Sequence, residues 1–499
     1  MAAPSPPQAV LRHADGEAFG RGGGSLIPSP AARSASDDSD GLPVPRRYWA
    51  AATIWAAIAI TVLDGAIANV ALPAIARDLA ASPAESIWVV NAYQLAIVVS
   101  LLPLASLGEI IGYRRVYQAG LLLFTLASLG CALSHSLIAL TGARAVQGLG
   151  AAGIMSVNGA LVRFTYPQRM LGRGVGLNAL VVAASAAAGP TIASAILAVA
   201  SWQWLFAVNV PIGVATLIVA ACSLPKNALA KTRFDLISAG LNALSFGLIV
   251  TGVDLLTRTR DRLAGGVELL CGLLAGVVLA RREWAVAHPL VPIDLLRIRV
   301  FALSIVTSVI SFTAQMAAFV SLPFHFEMAM HRSQVQTGLL LTPWPLGVGV
   351  AAPLAGWLAD RFSGAILGGA GLLVFAVGLA SLATLPTDAS NAAIVWRMAV
   401  CGLGFGFFQS PNNRIMLSTA PRARAGAAGG MLATARLTGQ TSGAVLIAVC
   451  FTLLGENGER VGLAIGAVLA VAGACTSLLR VVQHKQADHP DPELGSCAT

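Results

Sequence analysis

The stretch 60-ITVLDGAIANVALPAIARDL-79 sets one carboxylate, Asp64, inside an apolar run from about Trp49 to Leu72. At roughly 1.5 Å per helical residue, such a run is long enough to cross a bilayer. A charged residue at the centre of a spanning helix costs about 2.5 to 3.5 kcal/mol on insertion scales, so an acid kept there points to function. Two readings follow. Asp64 is a proton or cation site whose partner lies elsewhere in the chain, or it is an acid that only bonds a neighbouring helix.

The rest of the chain has the same solvent. Of its 499 residues 56% are hydrophobic and 11% charged, and the mean hydropathy is +0.75, which excludes a soluble domain. A net charge of +9 in a soluble chain would suggest a nucleic-acid partner. Here Arg and Lys fall in short loops between apolar runs, where they set topology, so nucleic-acid binding is set aside. Cys131, Cys222, Cys271, Cys401, Cys450 and Cys475 lie in apolar runs and Cys497 in the tail, with no CxxC pair, so neither a disulfide framework nor a metal site is legible. Residues 1–48 are rich in Pro, Ser, Gly and Ala and lack a signal-peptide core; a disordered tail is expected, and a start codon placed too far upstream would look the same.

Fourteen apolar runs follow, the shortest at 264–280. They divide into a bundle of six over 49–223, two further spans with linkers over 224–300, a second bundle of six over 301–480, and a tail over 481–499. An even count puts both termini on one face, and the excess of loop Arg and Lys on that face marks it as cytoplasmic. Only the cluster Arg258, Arg260, Arg262 runs against this rule. The expected protein is therefore an all-α, multi-pass protein of the cytoplasmic membrane.

An internal repeat supports two bundles. Leu72-Pro73 answers to Leu322-Pro323, Glu109 to Asp360 and Arg144 to Arg397, at offsets of 250, 251 and 253 residues. Parallel halves of this kind enclose a site near the midplane and expose it alternately. The repeat also breaks informatively. Asp64 falls on Ala314 in the second half, and Gly189-Pro190 falls on Gly439-Gln440. Only the first half owns the acid and the proline.

Asp64 and Arg144 lie at matching depth. A buried guanidinium favours the charged carboxylate and desolvation the neutral one, so a change in exposure shifts the balance between them. A static, structural ion pair is the alternative. Small residues over 176–194 with Pro190 allow close helix approach and a pliable kink. The turns holding Glu109, Gly112, Arg114 and Asp360, Arg361 place charges at span ends, where they can latch a conformation or simply be solvated. Asn69, Asn91, Gln94 and Gln147 in the first half, with Phe312, Gln315, Phe319, Trp344, Phe408, Gln409 and Arg436 in the second, are candidate walls of a roomy cavity with rings able to hold a flat cation. Each alone also fits ordinary helix packing. No Walker A, HExxH or Ser/His/Asp arrangement is present, so neither an enzyme nor an ATP-driven pump is expected and no cofactor is implied.

Over about residues 46–482 these features resemble the major facilitator superfamily, specifically its fourteen-span drug:proton antiporters. LDGAIANVALP looks like the family's first-span signature, which implies a proton-coupling role for Asp64. The segment 140-LTGARAVQGLGAA-152 is similar to its fourth-span motif at Arg144, Gln147 and Gly148. The run ending at Gly189-Pro190 resembles the fifth-span antiporter motif, with Gly176, Gly189 and Pro190 kept and Ser185, Ala193 and Ser194 where glycine is usual. The loop after the second span carries Glu109 and Ile110 where the family turn has Asp and Arg; Gly356, Asp360 and Arg361 are nearer the pattern. The resemblance implies the major facilitator fold and a monomeric proton-driven exporter of hydrophobic, often cationic compounds, such as dyes, antiseptics and antibiotics. A dedicated metabolite exporter, a proton symporter and a non-transporting receptor stay open.

Overall fold

A computed structural model describes residues 41–488 except 168–169, 226–228, 230–233, 258–260, 285–292, 360 and 421–424. Asp360, Arg258 and Arg260 thus lie outside the described residues, as do 1–40 and 489–499. Fourteen helices are long and apolar enough to cross a membrane, and no strand occurs among the described residues. The first six are α1 (Arg46–Asp78), α2 (Pro83–Ile111), α3 (Tyr113–Ala132), α4 (Leu137–Thr165), α5 (Leu171–Leu197) and α6 (Gln203–Ser223). Then come α7 (Leu236–Thr257) and α8 (Arg262–Trp284). The last six are α9 (Arg299–Ala329), α10 (Gln334–Leu358), α11 (Gly364–Ala383), α12 (Asn391–Thr419), α13 (Ala425–Leu454) and α14 (Gly458–Asp488). The side on which α1 begins is termed proximal and the opposite side distal.

The repeat seen in the sequence returns as local structure. Ser82 opens α2 and Ser333 opens α10, each with a reciprocal capping box, to Glu85 and to Gln336. Ser136 and Ser390 cap α4 and α12 in the same way as each other. Prolines sit inside α1 and α9 (Pro73, Pro323) and inside α2 and α10 (Pro103, Pro353). Gly112, with φ of +106°, makes the tight turn between α2 and α3 that a side chain would strain.

Packing repeats too. In the first half α1 lies on α4, α5 and α6, and α4 lies on α2 and α3; in the second, α9 lies on α12, α13 and α14, and α12 on α10 and α11. Small residues let these backbones approach: a Cβ on Gly150 would sit 2.4 Å from the Phe124 nitrogen, and one on Gly404 2.4 Å from the Phe375 nitrogen. The halves meet where α2 packs on α13, α5 on α10 and α1 on α9. The two inserted helices pack on each other, and α7 also touches α2 and α13. On α8, Leu263, Val267, Leu270, Leu274 and Val278 are all at least half exposed, an apolar face suited to lipid tails.

Helix α5 runs unbroken through Pro190, so the proline sits within a continuous helix. Gly189 lies against α1, where a Cβ would come within 2.6 Å of the Ala66 methyl; its counterpart Gly439 lies equally close to Val309 and Phe312 of α9. Gly176 is in the proximal part of α5.

Candidate functional site

Asp64 lies in the interior of the first half, 2% exposed, and five helices supply its surroundings. Arg144 of α4, fully buried, donates from Nη1 to Asp64 Oδ2. Gln147, one turn along α4, donates to Asp64 Oδ1 at 2.9 Å, and Asn209 of α6 donates to the same oxygen at 2.8 Å. Arg144 is held in turn: Nε donates to the Val89 carbonyl of α2 at 3.0 Å and Nη1 to Gln147 Oε1 at 2.6 Å. Its guanidinium carbon stands 4.0 Å from the centre of the Tyr93 ring. Tyr93 bonds the Thr61 carbonyl of α1 at 3.0 Å, and Gln147 also donates to Ser128 of α3 at 2.8 Å.

This geometry has a chemical consequence. Every donor around Asp64 is aimed at one of its two carboxylate oxygens, and the neighbouring charge is Arg144. Protonating Asp64 removes the anion that compensates a buried guanidinium, and leaving one half of a buried pair costs about 3–5 kcal/mol. Arg144 has one buried nitrogen, Nη2, with no acceptor. The pair and its donors thus form one connected hydrogen-bonded unit across five helices. Of this shell, the pairing of Asp64 with Arg144 is expected from sequence, whereas Gln147, expected as a cavity wall, instead bonds Asp64. Asn209 is missed, although an amide within the apolar run of α6 is the same kind of signal as Asp64.

The other candidates divide. Asn69, Asn91 and Gln94 are buried, each with its side-chain oxygen unbonded, and Gln94 Nε2 reaches the Met316 sulfur of α9 at 3.7 Å. Phe312, Trp344 and Phe408 are core side chains in this conformation, joined through Phe375 and Phe405 by edge-to-face contacts of 5.2–5.6 Å. Phe319 tilts on Trp344 at 4.8 Å, while Gln315 and Gln409 are partly buried. A cavity of about 990 Å³ opens on the distal side among Glu85, Trp88, Asp254, Phe324, Glu459 and Arg460, and none of the expected cavity residues lines it.

At the span ends, Glu109 is exposed and Arg114 donates to the Ala221 carbonyl at the end of α6, so this charge ties two helices of one half. Arg361 stacks on Trp357 at 4.5 Å. Among the described residues, the ion pair that joins the halves is not one that hydropathy and motifs single out: Arg77 Nη2 to Glu327 Oε2, 2.8 Å, between the distal ends of α1 and α9. These residues stand four places after Pro73 and Pro323, so they occupy equivalent positions in the repeat.

The family model described as Major Facilitator Superfamily matches residues 54–444. The chain belongs to that superfamily. Among curated relatives, it is 54% identical over 447 residues to the uncharacterized transporter YebQ of Escherichia coli strain K12, covering 89% of this chain and 98% of YebQ. It is 30% identical to the riboflavin transporter RibZ of Clostridioides difficile strain 630, over 76% of this chain and 82% of RibZ. It is also 30% identical to the multidrug resistance protein Stp of Mycobacterium tuberculosis strain CDC 1551 / Oshkosh, over 76% of this chain and 71% of Stp. The protein is thus a multi-pass membrane transporter acting on small molecules.

Proposed function

We propose that this transporter is a proton-coupled antiporter exporting hydrophobic small molecules across the cytoplasmic membrane, with its proximal side in the cytoplasm and Asp64 as the exchange site. The observation that carries the reading is the buried Asp64–Arg144 pair, with both carboxylate oxygens hydrogen-bonded. In the outward-open state a proton from outside neutralises Asp64. Arg144, uncompensated, then draws on another acceptor, and the change of shell biases the halves toward the inward-open state. Substrate entering from the cytoplasm favours release of the proton, which restores the pair. Moving one charge through the membrane potential supplies about 2.3 kcal/mol per 100 mV, enough for roughly a fiftyfold gradient.

Multidrug export is supported by the relative named for it, and a dedicated exporter of one metabolite by the relative named for riboflavin. An efflux panel of riboflavin, ethidium and fluorescein in a strain lacking its own exporters separates the two: several unrelated compounds leave in the first case, one at most in the second. Export that persists at the normal rate after the proton gradient is collapsed, with the membrane potential clamped, contradicts coupling.

A further inference from the structure

The second half contains a charge that nothing among the described residues neutralises. Arg436, about 16 Å into α13 from its proximal end, has no hydrogen-bond or ion-pair partner among them, and its Nε is buried and unbonded. Other guanidiniums of the bundle each have at least one acceptor, although Arg144 Nη2 and Arg397 Nε are also buried and unbonded. Arg144 has Asp64, Arg397 Nη1 has the Ala393 carbonyl at 2.7 Å, and Arg480 Nη1 has Asn412 at 2.7 Å and Ser304 at 2.9 Å. The Nε of Arg436 is buried without an acceptor while the side chain as a whole is only partly buried, so the guanidinium is left unpaired where a ligand can reach it, and its retention there points to an occupant.

The direction in which it points follows from helix geometry. Residues 436, 440 and 443 share one stripe of α13 by their spacing. A Cβ on Gly443 would lie 2.8 Å from Met316 Cβ of α9, and the Met316 sulfur meets Gln94 of α2. Gly439 meets Phe312 of α9, while Leu437 joins the hydrophobic cluster holding Tyr93 and Ile97 of α2. The Arg436 stripe therefore faces the wedge where α2 of one half and α9 of the other converge, inside the bundle. Two groups in that wedge are short of partners: the guanidinium from α13 and Gln94 Oε1 from α2, whose side chain is more than nine-tenths buried.

We propose that Arg436, on the α13 stripe that faces the wedge holding Gln94, binds an anionic group on the substrate, and that the preferred substrates are aromatic carboxylates or enolates. A guanidinium and an amide together match the two oxygens of such a group. Arg436 has no acid partner among the described residues, so a cationic group placed against it is repelled. This departs from the cationic class that the family resemblance implies. The proposal rests on the export reading for its biological meaning, but not on Asp64.

The test uses the purified full-length protein and three matched probes: 2-naphthoate, 2-naphthylmethanol and 2-naphthylmethylamine. Thermal unfolding of the wild type in detergent is expected to show 2-naphthoate stabilising at concentrations at least about tenfold lower than the alcohol, and the amine having no effect. Arg436→Lys keeps the preference for the acid, and Arg436→Gln loses it. Without ligand, Arg436→Gln melts no lower than wild type, because it removes an unpaired buried charge; a structural arginine would melt lower. Equal response to acid and alcohol, preference for the amine, a retained preference in Arg436→Gln, or a fall in its unliganded melting temperature each overturns the proposal. Asp64→Asn separates the two claims: it should retain the acid preference, so loss of proton exchange alone bears on the antiport reading and loss of preference alone on Arg436.

Discussion

The two six-helix halves share a backbone plan and oppose each other in charge. In α1 and α4, Asp64 and Arg144 compensate each other inside a shell of amides; at the equivalent places in α9 and α12 stand Ala314, fully buried, and Arg397, which stacks on Trp396 and bonds its own helix. In α13, Arg436 has no partner among the described residues, and the position 250 residues earlier is Ala186. Duplication set the helix contacts, while the chemistry was placed once on each side. One half carries a buried, compensated ion pair, and the other a cation without a partner among the described residues. On the proposed reading, asymmetry of this kind would let a twofold scaffold bind two different species in one interior.

The largest expected effect comes from removing the two corresponding arginines. Arg144→Ala leaves Asp64 buried with neutral donors only and should lower stability by about 3–5 kcal/mol, whereas Arg397→Ala should cost less than about 1 kcal/mol. Urea or thermal unfolding in detergent measures both, and equal losses would erase the contrast between the halves. Next comes Asn209→Ala, which removes the α6 donor at 2.8 Å from Asp64 Oδ1. A loss of about 1–3 kcal/mol is expected, together with slower proton exchange, while the preference assigned to Arg436 stays unchanged. An Asn209 variant that altered acid preference without touching exchange would mean the two charge centres are not separate.

The smallest effect concerns the contact that joins the halves on the distal side. Arg77 is more than half exposed, so Glu327→Gln removes only about 0.5–1 kcal/mol of attraction. Distal opening should become roughly two- to fivefold more frequent, read as faster maleimide labelling of a cysteine placed at the buried Ala71. Unchanged labelling would show that Arg77 and Glu327 do not hold the halves together.

Much of this architecture is legible in the amino-acid sequence. Helix number and the offset of about 250 residues follow from hydropathy and from landmarks such as Leu72-Pro73 and Leu322-Pro323, because lipid forces each span to satisfy its own backbone and repeat its length. Asp64 and Arg144 stand out because charge is costly at that depth. Partners that depend on helix rotation do not show. Asn209 is one amide among several in apolar runs, and only the packing of α6 on α1 turns it toward Asp64. Arg77 and Glu327 read as ordinary span-end charges, and only the meeting of the distal ends of α1 and α9 makes them a pair. Phe408 and Trp344 read as cavity walls, but aromatic residues in a membrane chain serve cores as readily, and here they fill one.

The most direct trial of the account is the count of protons released per substrate exported in proteoliposomes, with riboflavin, ethidium and fluorescein as probes. Wild-type protein should release protons whenever a transported probe is added, and Asp64→Asn should reduce that release by at least about a hundredfold while remaining folded. Proton release at the wild-type rate from the Asp64→Asn protein would contradict the account.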